Sequence, residues 1–162
     1  TLIPMVKEKI KIPLIAAGGI ATGRGMLAAM VLGADGVQVG SRFAASVESS
    51  AHENFKNKIV ETQEGGTQLT LKELAPVRLI KNKFYQDVQE LYSKCPTKEE
   101  LSALLGRARA KHGMFEGDLD EGELEIGQIA GLIHDVKPAA EIIVEMIADF
   151  EQARKEVNKF DF

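Results

Sequence analysis

The chain has 162 residues, of which 44% are hydrophobic and 27% charged, with a formal net charge of −4. That is ordinary for one globular domain with a sizeable core, and the acidic balance argues against nucleic acid or an anionic membrane surface as the principal partner. No run of about 18 apolar residues is present to cross a membrane, and the single cysteine, Cys95, excludes an internal disulfide and fits a reducing, cytoplasmic setting.

Leu2 to Lys9 reads as the end of a helix packing through Leu2, Met5 and Val6. Pro13 to Ala17 is a short apolar run of the kind expected for a parallel strand buried on both faces, and it breaks at Gly18-Gly19. Thr22 is placed to cap a helix through about Leu32, with Met26, Leu27, Met30 and Val31 at the spacing of a face packed on the sheet, and Gly33 ends it. Ala34 to Val39 is the next strand, followed at once by the polar turn Gly40-Ser41. Where glycine follows a strand and a helix begins, free backbone N–H groups and the positive end of the helix dipole converge on a place suited to phosphate. Two such turns, about twenty residues apart on adjacent strands, can cradle one phosphate, as the loops after the seventh and eighth strands of a (β/α)8 barrel do.

Beyond that tandem, Ser50 is expected to cap a helix over 51–62 with Phe55, Ile59 and Val60 inward. Thr67 to Leu71 is a short extended piece. Pro76 suits the first position of a helix that continues through Tyr92 on the stripe Phe84, Val88 and Leu91. Arg78 and Lys81 on it are candidate ligands for an anionic group of a nucleotide or acyl-carrier substrate, and ordinary surface charges fit equally well. Thr97 and Glu100 form a capping box for a helix running to Gly113. The acidic stretch 116–125 lacks the ladder of an EF-hand loop and reads as a solvated loop without metal. Gly127, Ala130 and Gly131 surround a single polar Gln128, and a last helix from Pro138 to Val157 carries Ile142, Ile143, Met146, Ile147 and Phe150 on one face. One cysteine and three scattered histidines assemble no nucleophilic or zinc constellation. No catalytic residue is therefore assigned, and a cofactor must carry any reaction.

The stretch AAGGIATGRGMLAAMVLGADGVQVGSRF, followed in order by ESSAHENFK at 48–56, PVRLIKNKF at 76–84 and GELEIGQIAGLI at 122–133, resembles the C-terminal part of a family of FMN-dependent barrels. That family contains nitronate monooxygenase (2-nitropropane dioxygenase) and the flavin-dependent enoyl-ACP reductase of type II. The resemblance implies an α/β fold, the C-terminal part of a TIM (β/α)8 barrel with an additional, mostly helical C-terminal segment. Residues 1–62 would be the barrel units, and 63–162 the segment completing the barrel and its cap. It implies FMN phosphate on Ala17, Gly18, Gly19, Gln38, Val39, Gly40 and Ser41, with Ser41 standing where threonine is common and keeping the hydroxyl. His52, with Glu48 nearby, and Gln128 would line the site. The family's catalytic histidine, in an AGGH-type motif, has no counterpart. The expectation is thus an incomplete, inactive portion that forms a homo-oligomer or associates with its missing N-terminal half. The implied parent is a cytoplasmic oxidoreductase of fatty acid biosynthesis that reduces enoyl thioesters with NAD(P)H. The alternatives are oxidation of alkyl nitronates with O₂, a flavin-free phosphosubstrate barrel, or a non-catalytic module.

Overall fold

The computed structural model describes residues 2–159. Helix α1 (Leu2–Lys7) leads into strand β1 (Ile15–Ala17), helix α2 (Gly23–Val31) and strand β2 (Gly36–Gln38). β2 lies parallel to β1 with Ile15 opposite Gly36 and Ala17 opposite Gln38, the βαβ unit that the hydrophobic pattern predicts. Thr22 caps α2 as expected, its Oγ1 accepting the Gly25 N–H at 3.0 Å. Asp35 ties the return to the entry, accepting the Leu14 N–H at 2.8 Å and the Lys7 ammonium at 2.6 Å. Several expectations fail here: Leu2 and Met5 of α1, and Met30 and Val31 of α2, read as packing positions, are exposed because this two-stranded sheet offers them no second surface. β1 is not buried on both faces: Ala16 is covered, whereas Ile15 is 54% exposed. The reason is that the sheet has two strands, so each has an unpaired edge and an uncovered face.

Helices α3 (Ser41–Ala44) and α4 (Glu53–Glu61) follow. The cap of α4 is His52 rather than Ser50. His52 holds an extended backbone, its Nδ1 accepts the Asn54 N–H at 3.1 Å and its own N–H donates to the Met114 carbonyl at 2.8 Å.

The expected helix from Pro76 is also corrected. Strands β3 (Thr67–Thr70) and β4 (Val77–Ile80) form an antiparallel hairpin with Thr67 opposite Ile80, and burial of Leu79 and Ile80 fixes it in place. Helix α5 (Lys83–Tyr92) starts only after Asn82. The Asn82 Oδ1 accepts the Tyr85 N–H, while its Nδ2 donates to the carbonyls of Leu119, Asp120 and Gly122. The predicted stripe then holds, with Phe84 and Val88 buried and Leu91 beside them. Cys95 turns the chain with φ +52. Helix α6 (Lys98–Leu105) opens on the Thr97–Glu100 capping box, but it stops at Gly106, where φ is +66 and ψ −151. Helix α7 (Arg109–Met114) is separate, and Gly113, expected to end a helix, is buried within it. The acidic loop is only partly solvated: Gly122, Glu123 and Leu124 are buried, and the Leu124 carbonyl accepts the Ile80 N–H at 3.0 Å.

A 3₁₀ turn (Gln128–Leu132) precedes α8 (Ala139–Val157). Ile142, Met146 and Ala153 of α8 are buried, and the helix returns to pack along α2. The rest of its predicted face is only half covered, with Ile143 53% and Ile147 51% exposed. Gly23 makes the α2–α8 approach possible, because a Cβ there would lie 2.1 Å from the Met146 carbonyl oxygen and 2.2 Å from the Phe150 nitrogen. Both are backbone atoms with nowhere to move. Gly23→Ala is expected to lower stability by about 1–3 kcal/mol or more, measured by urea unfolding monitored through circular dichroism.

Candidate functional site

The register of β1 and β2, with Ala17 opposite Gln38, sets two turns side by side at the same rim. In the first, Gly18 and Gly19 have φ of +94 and +71, a conformation that favours glycine at both positions. In the second, Val39 leads to Gly40, which caps α3, and Ser41 opens it. A Cβ added at Gly18, Gly19 or Gly40 would meet nothing within 4 Å. Gly40 is the informative one. Its φ of −105 suits any residue, so neither backbone conformation nor packing requires glycine there. Gly40 thus leaves bare backbone open at the rim.

The Ser41 Oγ accepts the Gly127 N–H at 3.1 Å, which leaves its own proton available to donate. Arg42, buried, donates from Nη1 to the Asp135 carbonyl at 3.0 Å and from Nη2 to its carboxylate at 2.5 Å. Burial pushes the Asp135 carboxyl up, but the Lys137 ammonium and the Arg42 guanidinium outweigh that and hold it below its ordinary value. The α3 turn is thereby pinned to the segment on either side of the 3₁₀ turn.

Two clefts flank these turns. One of about 720 Å³ is bounded by Gly40, Ser41, Ser50, Arg78, Glu125 and Gly127 among others. The other, about 450 Å³, is bounded by Gly19, Glu64, Gly65, Gln128 and Leu132 among others. Gln128 is thus brought beside the first turn, as the sequence reading expects, and Arg78 beside the second. His52 bounds neither cleft. It is occupied as the α4 cap, with its ring against Gly117, where an added Cβ would lie 2.3 Å from Nδ1. Lys81 bounds neither cleft either, and Glu48 is engaged elsewhere, accepting the Ala139 N–H at 2.8 Å. Ser50, Glu64, Gly65 and Glu125 are residues sequence reasoning did not place here. Gly127 was signalled by the small-residue run around Gln128, while Ser50 was absorbed into a capping role.

Two residues before the cleft residue Glu125, burial and the nearby Glu125 carboxylate push the Glu123 carboxyl up to about 6, against a smaller opposing pull from Arg109. A carboxyl raised in the folded state stays protonated there while its unfolded counterpart ionises. Its contribution to stability is full below about pH 4.5 and is lost as pH rises to about 6. Glu123→Gln is therefore expected to be more stable than the parent at pH 7 and to show no such gain at pH 4, compared by urea unfolding at the two values.

A parallel βαβ pair with its glycine turns on one rim is a unit of the kind from which (β/α)8 barrels are built. The chain belongs to the nitronate monooxygenase family, whose model matches residues 1–149. It is 33% identical over 160 residues to a probable nitronate monooxygenase of Staphylococcus saprophyticus, a match covering 98% of this chain and 44% of that protein. It is 36% identical over 117 residues to a probable nitronate monooxygenase of Staphylococcus aureus strain Newman, covering 70% of this chain and 33% of that one. Among solved structures it resembles FabK from Thermotoga maritima with a TM-score of 0.87 and 38% identity, over 98% of this chain and 50% of that one. It also resembles the nitroalkane oxidase of Streptomyces ansochromogenes with a TM-score of 0.73 and 28% identity, over 96% and 44% respectively. The chain therefore spans about half the length of these relatives or less, which fits a partial barrel. The shares measure how much is matched and not which half.

Proposed function

We propose that the chain is the phosphate-holding portion of an FMN-dependent oxidoreductase of the enoyl-ACP reductase II type, which reduces enoyl thioesters with NAD(P)H. The observation that carries this reading is the bare backbone at Gly40 beside Gly18 and Gly19. Ala17, Gly18, Gly19, Gln38, Val39 and Gly40 would hold the flavin phosphate through main-chain groups, and Ser41 would add a hydroxyl donor fixed in orientation by Gly127. When bound, the flavin supplies the electron transfer that no side chain here can perform. Gln128, beside the first turn, offers an amide to the same ligand.

No acid or base for substrate is assigned to this chain. The unpaired edges of β1 and β2, with Ile15 and the 74% exposed Val31, suit association with complementary barrel segments or with a second copy. No helix among the described residues is long and apolar enough to cross a membrane, and we place the activity in the cytoplasm.

The reductase reading is supported by the FabK likeness, at 38% identity against 28% for the nitroalkane oxidase. A second reading, oxidation of alkyl nitronates with O₂, is favoured by the family model and by the names of the curated relatives. NAD(P)H consumption with a crotonyl thioester, set against O₂ uptake with a nitronate, separates the two, and activity in neither assay overturns both. A colourless protein that takes up no flavin would point instead to a phosphosubstrate barrel or a non-catalytic module. The direct test is flavin uptake followed by visible absorption. Gly40→Val is expected to fold as the parent does, since its side chain enters open space, and to retain at least tenfold less FMN.

A further inference from the structure

We propose that Arg78 forms a second phosphate subsite, in the larger cleft beyond Gly40 and Ser41, for the phosphate or pyrophosphate of a second ligand. This rests on the flavin reading only in giving the flavin phosphate to the two turns. Arg78 lies on β4 opposite Leu69 and reaches diagonally across the hairpin. Its Nη1 donates to the carbonyl and to the Oγ1 of buried Thr67 at 3.2 and 3.1 Å. One nitrogen is anchored, and the remaining N–H groups of the fork have no partner among the described residues.

The charge balance sets Arg78 apart. Arg24 pairs with Glu156, Arg42 with Asp135, Arg109 with Glu121 and Arg154 with Glu151. Arg107 is exposed to water. Among the described residues, Arg78 is the partly buried arginine with no carboxylate within ion-pair distance. Glu125 bounds the same cleft but sits opposite Leu79 across a strand bridge and makes no ion pair with it. A half-desolvated guanidinium held in one orientation without a counter-ion is costly alone and matches the fork geometry of a phosphate. The hydroxyl-bearing residues Ser41 and Ser50 bound the same cleft, whose volume of about 720 Å³ leaves room for more than a phosphate group. The ligand class is a phosphate ester carried by a second substrate. Its two sources are a pyridine dinucleotide and a phosphopantetheine thioester.

The test is calorimetric titration of the full chain, with FMN saturating, using NADH, coenzyme A and phosphate-free pantetheine as probes, alongside a separate titration with FMN. Arg78→Gln is expected to weaken NADH or coenzyme A at least tenfold while leaving pantetheine and FMN binding unchanged, and whichever probe responds identifies the source. Arg78→Lys, which keeps the charge without the fork, should lose less. Thr67→Val should lose part of the effect while leaving Arg78 in place, so the proposal does not hang on one variant's folding. Equal losses for pantetheine and coenzyme A would make Arg78 structural, and a matching loss of FMN would put it in the flavin site. Unchanged binding of both phosphate-bearing probes, or failure of the parent to bind either, also overturns the proposal. Should the parent bind coenzyme A or NADH through Arg78 but take up no FMN, the flavin reading fails and the subsite stands.

Discussion

The buried guanidinium of Arg42, held to both the carbonyl and the carboxylate of Asp135, is the contact on which the arrangement of the molecule depends. It joins the turn after β2 to a segment 93 residues further along, and it does so where water competes poorly for the fork. Breaking the pair would leave the covered Arg42 guanidinium without its carboxylate, while Asp135, 43% exposed, would keep its water. Around it run two lighter ties in the same direction, the Ser41–Gly127 hydrogen bond and the bridge between Ser46 and Lys137. Together they fix the 3₁₀ turn against α3. Everything proposed for the rim follows from that placement.

The rim itself is built mostly from what is missing. Three glycines face space that no side chain fills, and two clefts open on either side of them. The hairpin β3–β4 stands over one of these clefts and contributes an arginine that finds no carboxylate partner among the described residues. A strand pair that supplies backbone donors and a hairpin that supplies charge are different devices, and they suit different parts of a ligand set. The first suits a phosphate held close to the main chain, the second a phosphate reached from a distance.

Local signals were legible in the sequence, and signals that needed a remote partner were not. Thr22 and the Thr97–Glu100 pair were readable as caps because a side chain bonds its own backbone within a turn. The tandem turns were readable because glycine and register act over a few residues. Val77–Ile80 was misread because four residues of mixed apolar character carry no period long enough to exclude a helix. Only pairing with Thr67–Thr70 decides them. His52 displaced Ser50 as a cap because its N–H finds the Met114 carbonyl, a partner 62 positions away by number and invisible to a window on the chain. Burial of β1 was overestimated for the same reason, since an apolar run states what it needs and not what this chain supplies. The paired turns, Gln128, Gly127 and Arg78 were singled out in advance and border the two clefts, whereas Ser50 came to the cleft only through the way the elements meet.

The close seat of α8 on α2 also has a consequence in time. Arg24 and Asp149, joined at 2.8 Å, are 125 residues apart, so the side of α2 that meets α8 waits for α8 to be made, while Met26 and Ala29 already pack with Ala16 and Val37. At about 5–20 residues per second of synthesis, that leaves the α8-facing side of α2 waiting on the order of ten seconds on the ribosome. Contacts of such separation also slow refolding, because the loop must close before the contact repays it. The α2 surface that α8 later covers is therefore open during that interval, in addition to the strand edges and Val31 that stay open in the finished fold.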